Sequence, residues 1–183
     1  MNFLAFSLSV RKESYNRKLI KLVEQIFQAN SMKIEILDLL EYDMPSYNED
    51  VQNNKGFPEG AECFKEKLAT ANGLILATPE YNYSYPGYFK NMFDWISRYK
   101  PMPWNNKSVL LLSASPSLVG GERALLPLKV PFEGCGSFVF PKTFSLASSY
   151  QAFNEKNELI DQRKANTLSD LILSFIKFTK ALQ

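Results

Sequence analysis

Apolar residues in this chain follow two rhythms. Some form short unbroken runs, and others recur every three or four positions over longer stretches. An apolar run too short for a helix predicts a strand buried on both faces, whereas the longer rhythm predicts an amphipathic helix. Strands are predicted at Phe3–Leu8, Lys33–Asp38, Gly73–Thr78, Val109–Ala114 and, more weakly, Gly136–Phe140. A helix is predicted from Tyr15 to Asn30 behind a Ser14 cap, its wide apolar face made of Leu19, Ile20, Leu22, Val23, Ile26 and Phe27. Pro58 opens a second helix that stops near Asn72-Gly73. Pro86 or Gly87 starts a third, through Phe89, Met92, Phe93 and Ile96. Gly120-Gly121 precedes a fourth running to about Val130. Asn154–Gln183 holds the last, with Leu168, Leu171, Ile172, Phe175 and Ile176 inward. Leu39–Phe57, rich in Asn and carrying Pro45 and Gly56, is expected to be an irregular loop: a lid, a surface contact or an insertion.

Strands alternating with helices along the whole chain imply an α/β protein with a parallel sheet covered on both faces. Five such units give a doubly wound five-stranded sheet of flavodoxin-like order 2-1-3-4-5. At 183 residues, with no repeat, linker or low-complexity tract, one domain over 1–183 is expected.

Composition narrows the chemistry. Apolar residues make up 45% and charged residues 22%, ordinary proportions for a globular protein. A net charge of +2 is too small to point to nucleic acid or an anionic membrane surface as a partner. No stretch approaches the ~20 apolar residues of a membrane span, and Met1–Val10 does not read as a signal peptide. Cys63 and Cys135 have no metal-site spacing and read as free thiols, so a cytoplasmic location is expected. There is no histidine at all, which excludes Ser-His-Asp and Cys-His catalysis and a histidine acid or base near neutral pH. Any catalysis must therefore borrow a cofactor's reactivity.

The loops after the first, third and fourth strands meet at one sheet edge, where strand order reverses and ligands bind in such folds. The first contains Ser9, Arg11, Ser14 and Asn16 at a helix start, where unpaired N–H groups and a partial positive charge suit a phosphate monoester. It matches neither GxxxxGK[ST] nor GxGxxG, which disfavours nucleoside triphosphates and dinucleotides. A plain helix cap on a solvated loop explains the same residues. The second loop, Pro79-Glu80-Tyr81-Asn82-Tyr83-Ser84-Tyr85-Pro86-Gly87, joins proline-fixed backbone to polar and aromatic groups, a shelf for a planar ligand. A tyrosine-rich turn capping the sheet is the plainer alternative. The third, Ser113–Gly121, has small residues that let backbone N–H groups approach a ring carbonyl. A phosphate site, a rigid shelf and a close-approach backbone together imply a planar mononucleotide, and flavin mononucleotide (FMN) suits a chain without histidine.

These motifs resemble the NADPH-dependent FMN reductase family, the flavodoxin-like group that includes quinone, chromate and azo-dye reductases. The family pattern P-E-Y-N-x-S-x-P-G-x-x-K-N-x-x-D-W is met from Pro79 to Trp95 at every fixed position. Leu8–Asn16 is similar to the family's G-S-L-R-x-G-S-x-N, with Leu8 and Glu13 standing where it has glycines. Gly120, Gly121 and Arg123 meet its Gly-Gly-x-Arg, and Gly56-Phe57-Pro58-Glu59 resembles its lead into the second helix. The resemblance covers nearly the whole chain. It implies phosphate contacts in the first loop at Ser9, Arg11, Ser14 and Asn16, with Tyr15 beside them. It implies flavin-ring contacts along Pro79, Glu80, Tyr81 and Asn82, with Ala114 and Ser115 at the end of the fourth strand. It also implies NADPH or NADH as co-substrate, a small electron acceptor such as a quinone, and a homodimer or homotetramer. A flavodoxin-like electron carrier or sensor without NAD(P)H turnover is the alternative, as is a degenerate fold member that has lost FMN. Arg98 and Arg123 are expected to form inter-subunit pairs more than to attract anionic substrates.

Overall fold

The computed structural model describes residues 1–183. Its parallel strands are β1 (Phe3–Ser7), β2 (Glu35–Leu37), β3 (Gly73–Thr78), β4 (Ser108–Ala114), β5 (Phe138–Val139) and β6 (Phe144–Leu146). Their order is β2-β1-β3-β4-β5, with β6 also paired to β4. The helices are α1 (Tyr15–Ala29), α2 (Glu49–Lys55), α3 (Glu59–Thr70), α4 (Gly87–Ile96), α5 (Leu125–Gly134) and α6 (Gln162–Ala181). The strand order reverses between β1 and β3, which pair with Phe3 opposite Gly73 and Ser7 opposite Ala77.

Successive strand side chains point to opposite faces, so each central strand feeds two cores. Leu4, Phe6, Leu74, Leu76, Val109 and Leu111 pack beneath α3, α4 and α5, around Phe64, Phe89, Phe93, Trp95, Trp104 and Phe132. Phe3, Ala5, Ile75, Ala77, Leu110 and Leu112 pack beneath α1 and α6, around Val23, Phe27, Ile172 and Phe175. This double covering is why β1, β3 and β4 read as unbroken apolar runs rather than as alternation. No helix is long and apolar enough to cross a membrane.

Four expectations change. The second strand is only Glu35–Leu37, two of its three residues exposed, as befits a sheet edge. The fifth position holds two short strands instead of Gly136–Phe140: Pro141, which has no N–H to donate, separates β5 from β6. Leu39–Phe57 contains a 3₁₀ turn at Leu39–Glu41 and the short helix α2, whose Asn48 cap accepts from the N–H groups of Asp50 (2.8 Å) and Val51 (3.3 Å). The last helix begins at Gln162, capped by Asp161, because Asn154 folds the preceding segment into a turn by accepting from Lys156 and Glu158 N–H, both at 2.9 Å.

Leu39–Phe57 is also tied down rather than hinged like a lid. Asn91 Oδ1 accepts from Tyr47 N–H at 2.7 Å, and Asn91 Nδ2 donates to the carbonyls of Met44 (3.2 Å) and Pro45 (3.0 Å). Trp95 Nε1 donates to Pro45 O at 2.8 Å, and Tyr88 OH to Leu39 O at 2.9 Å. The Lys-Asn and Asp-Trp pairs of the long motif thus have structural work: Lys90 and Asp94 pair along α4 at 2.7 Å, while Asn91 and Trp95 anchor the segment before α2.

Candidate active site at the sheet's carboxyl edge

The loops after β1, β3 and β4 converge at the carboxyl edge, as the strand order requires. After β1, Leu8 N–H still bonds Ala77 O at 2.9 Å, so a side chain is accommodated here by one more rung of the sheet. Leu8 is buried and Glu13 is exposed at the surface of the loop. Ser14 caps α1 in an extended conformation, its Oγ accepting from Asn16 N–H at 3.2 Å. Between Ser9 and Asn16 the backbone N–H groups of Val10, Arg11, Lys12, Glu13 and Tyr15 have no acceptor within the protein, while Ser14 N–H closes a loose turn over Lys12 and Glu13. Arg11 and Lys12 are exposed beside them. This donor set, at the positive end of a fifteen-residue helix, suits an anion such as a phosphate monoester.

The next two residues face elsewhere. Tyr15 stacks on Phe153 (centroids 6.2 Å apart, 9° between planes). Asn16 is 2% exposed, with Nδ2 donating to Ala114 O at 3.0 Å and Oδ1 accepting from Ala114 N–H at 2.9 Å. Arg17 is not an anion ligand: its guanidinium forks onto Asp38 at 2.8 and 3.0 Å, and its Nε donates to Ser9 O at 3.3 Å. Burial alone would raise the Asp38 carboxyl. Hydrogen bonds from Arg17 and Leu40 N–H, with the guanidinium charge, outweigh it and hold Asp38 below its ordinary value.

After β3, Thr78 Oγ1 donates to Pro79 O at 2.8 Å, and Pro79 is buried. Tyr81 and Ser84 exchange both backbone bonds, at 2.8 and 3.1 Å, around Asn82 (φ 50°) and Tyr83 (φ 66°). Two left-handed residues between paired flanks make a primed hairpin turn. Asparagine tolerates that conformation; for Tyr83 it costs about 1 kcal/mol or more. The exposed Tyr83 ring is held by Arg123, whose Cζ lies 4.5 Å from its centroid. Arg123 Nη2 also meets Glu80 Oε1 at 2.7 Å. The Glu80 side chain is only 9% exposed, and its Oε2 is buried with no partner. Arg123 thus makes its pair within the chain rather than between subunits, and Arg98 bonds Asp94 O and Ser97 and lies over the Tyr47 ring without forming an ion pair.

After β4, the N–H groups at the strand end are already spent inside the protein, whereas those of Leu118, Val119 and Gly121 farther along the loop have no acceptor. Ala114 N–H goes to Asn16, and Ser115 N–H goes to Leu146 O at 3.1 Å. The loop's small residues serve close packing instead. Gly120 (φ 65°) abuts the end of β6, where a Cβ would lie 2.7 Å from Ala147 N and 2.8 Å from Leu146 C. Behind it sits a fourth loop that sequence reasoning missed, Ala147–Gln151. Ser148 and Ser149 donate their N–H groups to the carbonyls of Ser117 and Ser115, each at 3.1 Å, and Ser149 Oγ is buried without a partner. The only trace of this loop in the sequence was the Ser-Ser pair after a three-residue apolar alternation, too short to read as a strand. No cluster of His, Cys, Asp and Glu could hold a metal ion.

Comparison with known proteins shows the family and agrees with the fold. The family described as NADPH-dependent FMN reductase matches residues 1–151. A quinone reductase of Escherichia coli (strain K12) is 32% identical over 177 residues, covering 96% of this chain and 93% of that one. An NAD(P)H-dependent FMN reductase of Pseudomonas aeruginosa is 35% identical over 161 residues, covering 87% and 85%. Among solved structures, the flavoenzyme NAD(P)H:(acceptor) oxidoreductase FerB from Paracoccus denitrificans superposes with a TM-score of 0.83 at 25% identity, covering 98% and 97%. The chain belongs to the NADPH-dependent FMN reductase family and is an oxidoreductase of that class.

Proposed function

We propose that this protein is an NAD(P)H-dependent FMN oxidoreductase that reduces a small acceptor such as a quinone, working as one domain over 1–183. The observation that carries the reading is the set of five unpaired N–H groups between Val10 and Tyr15 at the start of α1, with Arg11 beside it. Those groups, with the hydroxyls of Ser9 and Ser14, receive the FMN phosphate. Pro79, Glu80, Tyr81 and Asn82 form the shelf for the ring, held in shape by the hairpin and by Arg123. Ala114 and Ser115 border it from the end of β4, while Tyr15 and Asn16 support the phosphate loop from behind.

When bound, FMN supplies the hydride-accepting and electron-donating chemistry that a chain without histidine lacks. The protein's residues bind and orient it, and none has to act as a general acid or base. Named relatives that are quinone and FMN reductases support NADPH or NADH as donor and a quinone as acceptor.

Exposed Leu118, Val119, Leu126 and Val130 beside this edge support a homodimer or homotetramer. The free thiols Cys63 and Cys135 support a cytoplasmic location. The deciding experiment is anaerobic mixing of the FMN-loaded protein with NADPH or NADH, followed at the visible flavin band. Rapid bleaching that a quinone reverses is expected. Bound FMN that neither nucleotide bleaches means an electron carrier, and a protein that never takes up FMN refutes the site.

A further inference from the structure

The Asn16 amide lies at the N-terminal turn of α1 yet spends both of its groups on a residue 98 positions away. Its Oδ1 takes the N–H of Ala114 at 2.9 Å, and its Nδ2 gives to the carbonyl of Ala114 at 3.0 Å. One side chain thus pairs with the end of β4 as a neighbouring strand would. At 2% exposure, it has no surface left with which to reach a phosphate. Its own N–H is also occupied, by Ser14 Oγ at 3.2 Å. The residue after β4, Ser115, is fixed on the opposite side through its N–H to Leu146 O, and its carbonyl receives Ser149 N–H at 3.1 Å. The end of β4 therefore sits where α1 and the end of β6 jointly place it.

From this geometry we infer that Asn16 is a positioning residue, a clamp that sets the flavin-ring border at Ala114–Ser115 relative to the phosphate loop, and is not a phosphate ligand. The inference rests on the FMN reading above. Its consequence is that loss of the Asn16 amide disturbs the ring end of the site, although the residue belongs to the phosphate-loop motif. Ala114, itself buried, would be left with an N–H and a carbonyl that no other group replaces.

The test separates the two ends of the ligand. FMN and riboflavin, which lacks the phosphate, are titrated by flavin fluorescence into the parent, Asn16→Ala, Asn16→Asp and Arg11→Ala. Visible spectra and midpoint potentials are recorded on the FMN-saturated proteins. For Asn16→Ala, both flavins should weaken by the same factor, about tenfold for one hydrogen bond of ordinary strength, with a shifted flavin band and potential. Asn16→Asp keeps an acceptor for Ala114 N–H but sets an anionic oxygen against Ala114 O, so riboflavin should weaken there too. That variant carries the test where the alanine variant does not fold. Arg11→Ala should weaken FMN alone and leave the band in place. Where riboflavin binds the parent too weakly to titrate, the band and potential of bound FMN decide. Asn16 variants that weaken only FMN, with the parent's spectrum and potential, make Asn16 a phosphate ligand and overturn the assignment, as does unchanged binding of both flavins. A parent that binds neither flavin removes the FMN reading, and this assignment with it.

Discussion

Removing Arg123 should destabilise the protein more than its half-exposed position suggests, because of what it leaves behind. The Glu80 carboxylate is nine-tenths buried, its Oε1 rests on Arg123 at 2.7 Å, and its Oε2 already lacks a partner. Deleting one partner of a buried ion pair costs about 3–5 kcal/mol, whereas an exposed pair is worth about 0–1 kcal/mol. Arg123 is itself 49% exposed, so its removal also admits water to the carboxylate, which brings the expected loss to about 2 kcal/mol. The Tyr83 ring loses its guanidinium as well, worth about 0.5–1 kcal/mol at an exposed site and included in that figure. For a chain of this length, Arg123→Ala should lower the thermal midpoint by about 4–8 °C, read by circular dichroism and by urea unfolding. The sign of a second step is the sharper test. Glu80→Gln placed on top of Arg123→Ala replaces the stranded charge with a neutral amide and should recover about 1 kcal/mol. An Arg123→Ala midpoint within 1 °C of the parent, or a double variant no more stable than Arg123→Ala, would refute the claim that a stranded carboxylate governs this loop.

Three further outcomes follow from the geometry. Arg11→Ala should weaken FMN binding at least about tenfold, the value of one charge-assisted bond, without changing the rate at which NADPH bleaches each bound flavin; equal affinity in a fluorescence titration would remove Arg11 from the site. Asn91→Ala abolishes three hydrogen bonds to the segment before α2. It should speed proteolytic cleavage within residues 44–57 and lower stability by about 2 kcal/mol, of the order of two net hydrogen bonds; an unchanged digestion pattern would count against the tether. Asp38 has a depressed folded-state carboxyl, so its contribution is present above the unfolded value, near pH 4, and fades as pH falls through the lower folded value. Asp38→Asn, which keeps an acceptor for Leu40 N–H, should cost a constant amount of stability above about pH 5 and a shrinking amount below pH 4; a deficit that does not change with pH would mean the charge pair contributes nothing.

What was legible in the sequence divides by length and by burial. The central strands were read almost to the residue because two-sided burial leaves unbroken apolar runs, and Ser14 and Pro86-Gly87 mark real helix starts, whereas the second helix stops at Thr70, short of Asn72-Gly73, because Gly73 already belongs to β3. That α1 opens behind a loop rich in hydroxyls and cations was legible, because it is a local property of the chain. Partly exposed β2 and two-strand β5/β6 were misjudged because an edge strand of two or three residues carries little periodicity. The onset of α6 was misplaced because Asn154 and Asp161 are both good turn and cap residues, and sequence alone does not say which of them starts the helix.

The sequence by itself determined the alternation of strands and helices, the switch point where order reverses, and the kind of ligand that edge suits. These follow from local propensity, hydrophobic period and the short motifs at strand ends. Only the tertiary structure decided which groups remain available to a ligand. Asn16 and Ser115 look like ligand residues along the chain, yet folding commits the Asn16 amide to Ala114 and the Ser115 N–H to Leu146, neither a close neighbour in sequence. A hydrogen-bond donor's chemistry is set by its residue type, but its availability is set by whichever acceptor the fold brings within about 3 Å. Here that acceptor lies at the carboxyl end of another strand, Ala114 in β4 and Leu146 in β6.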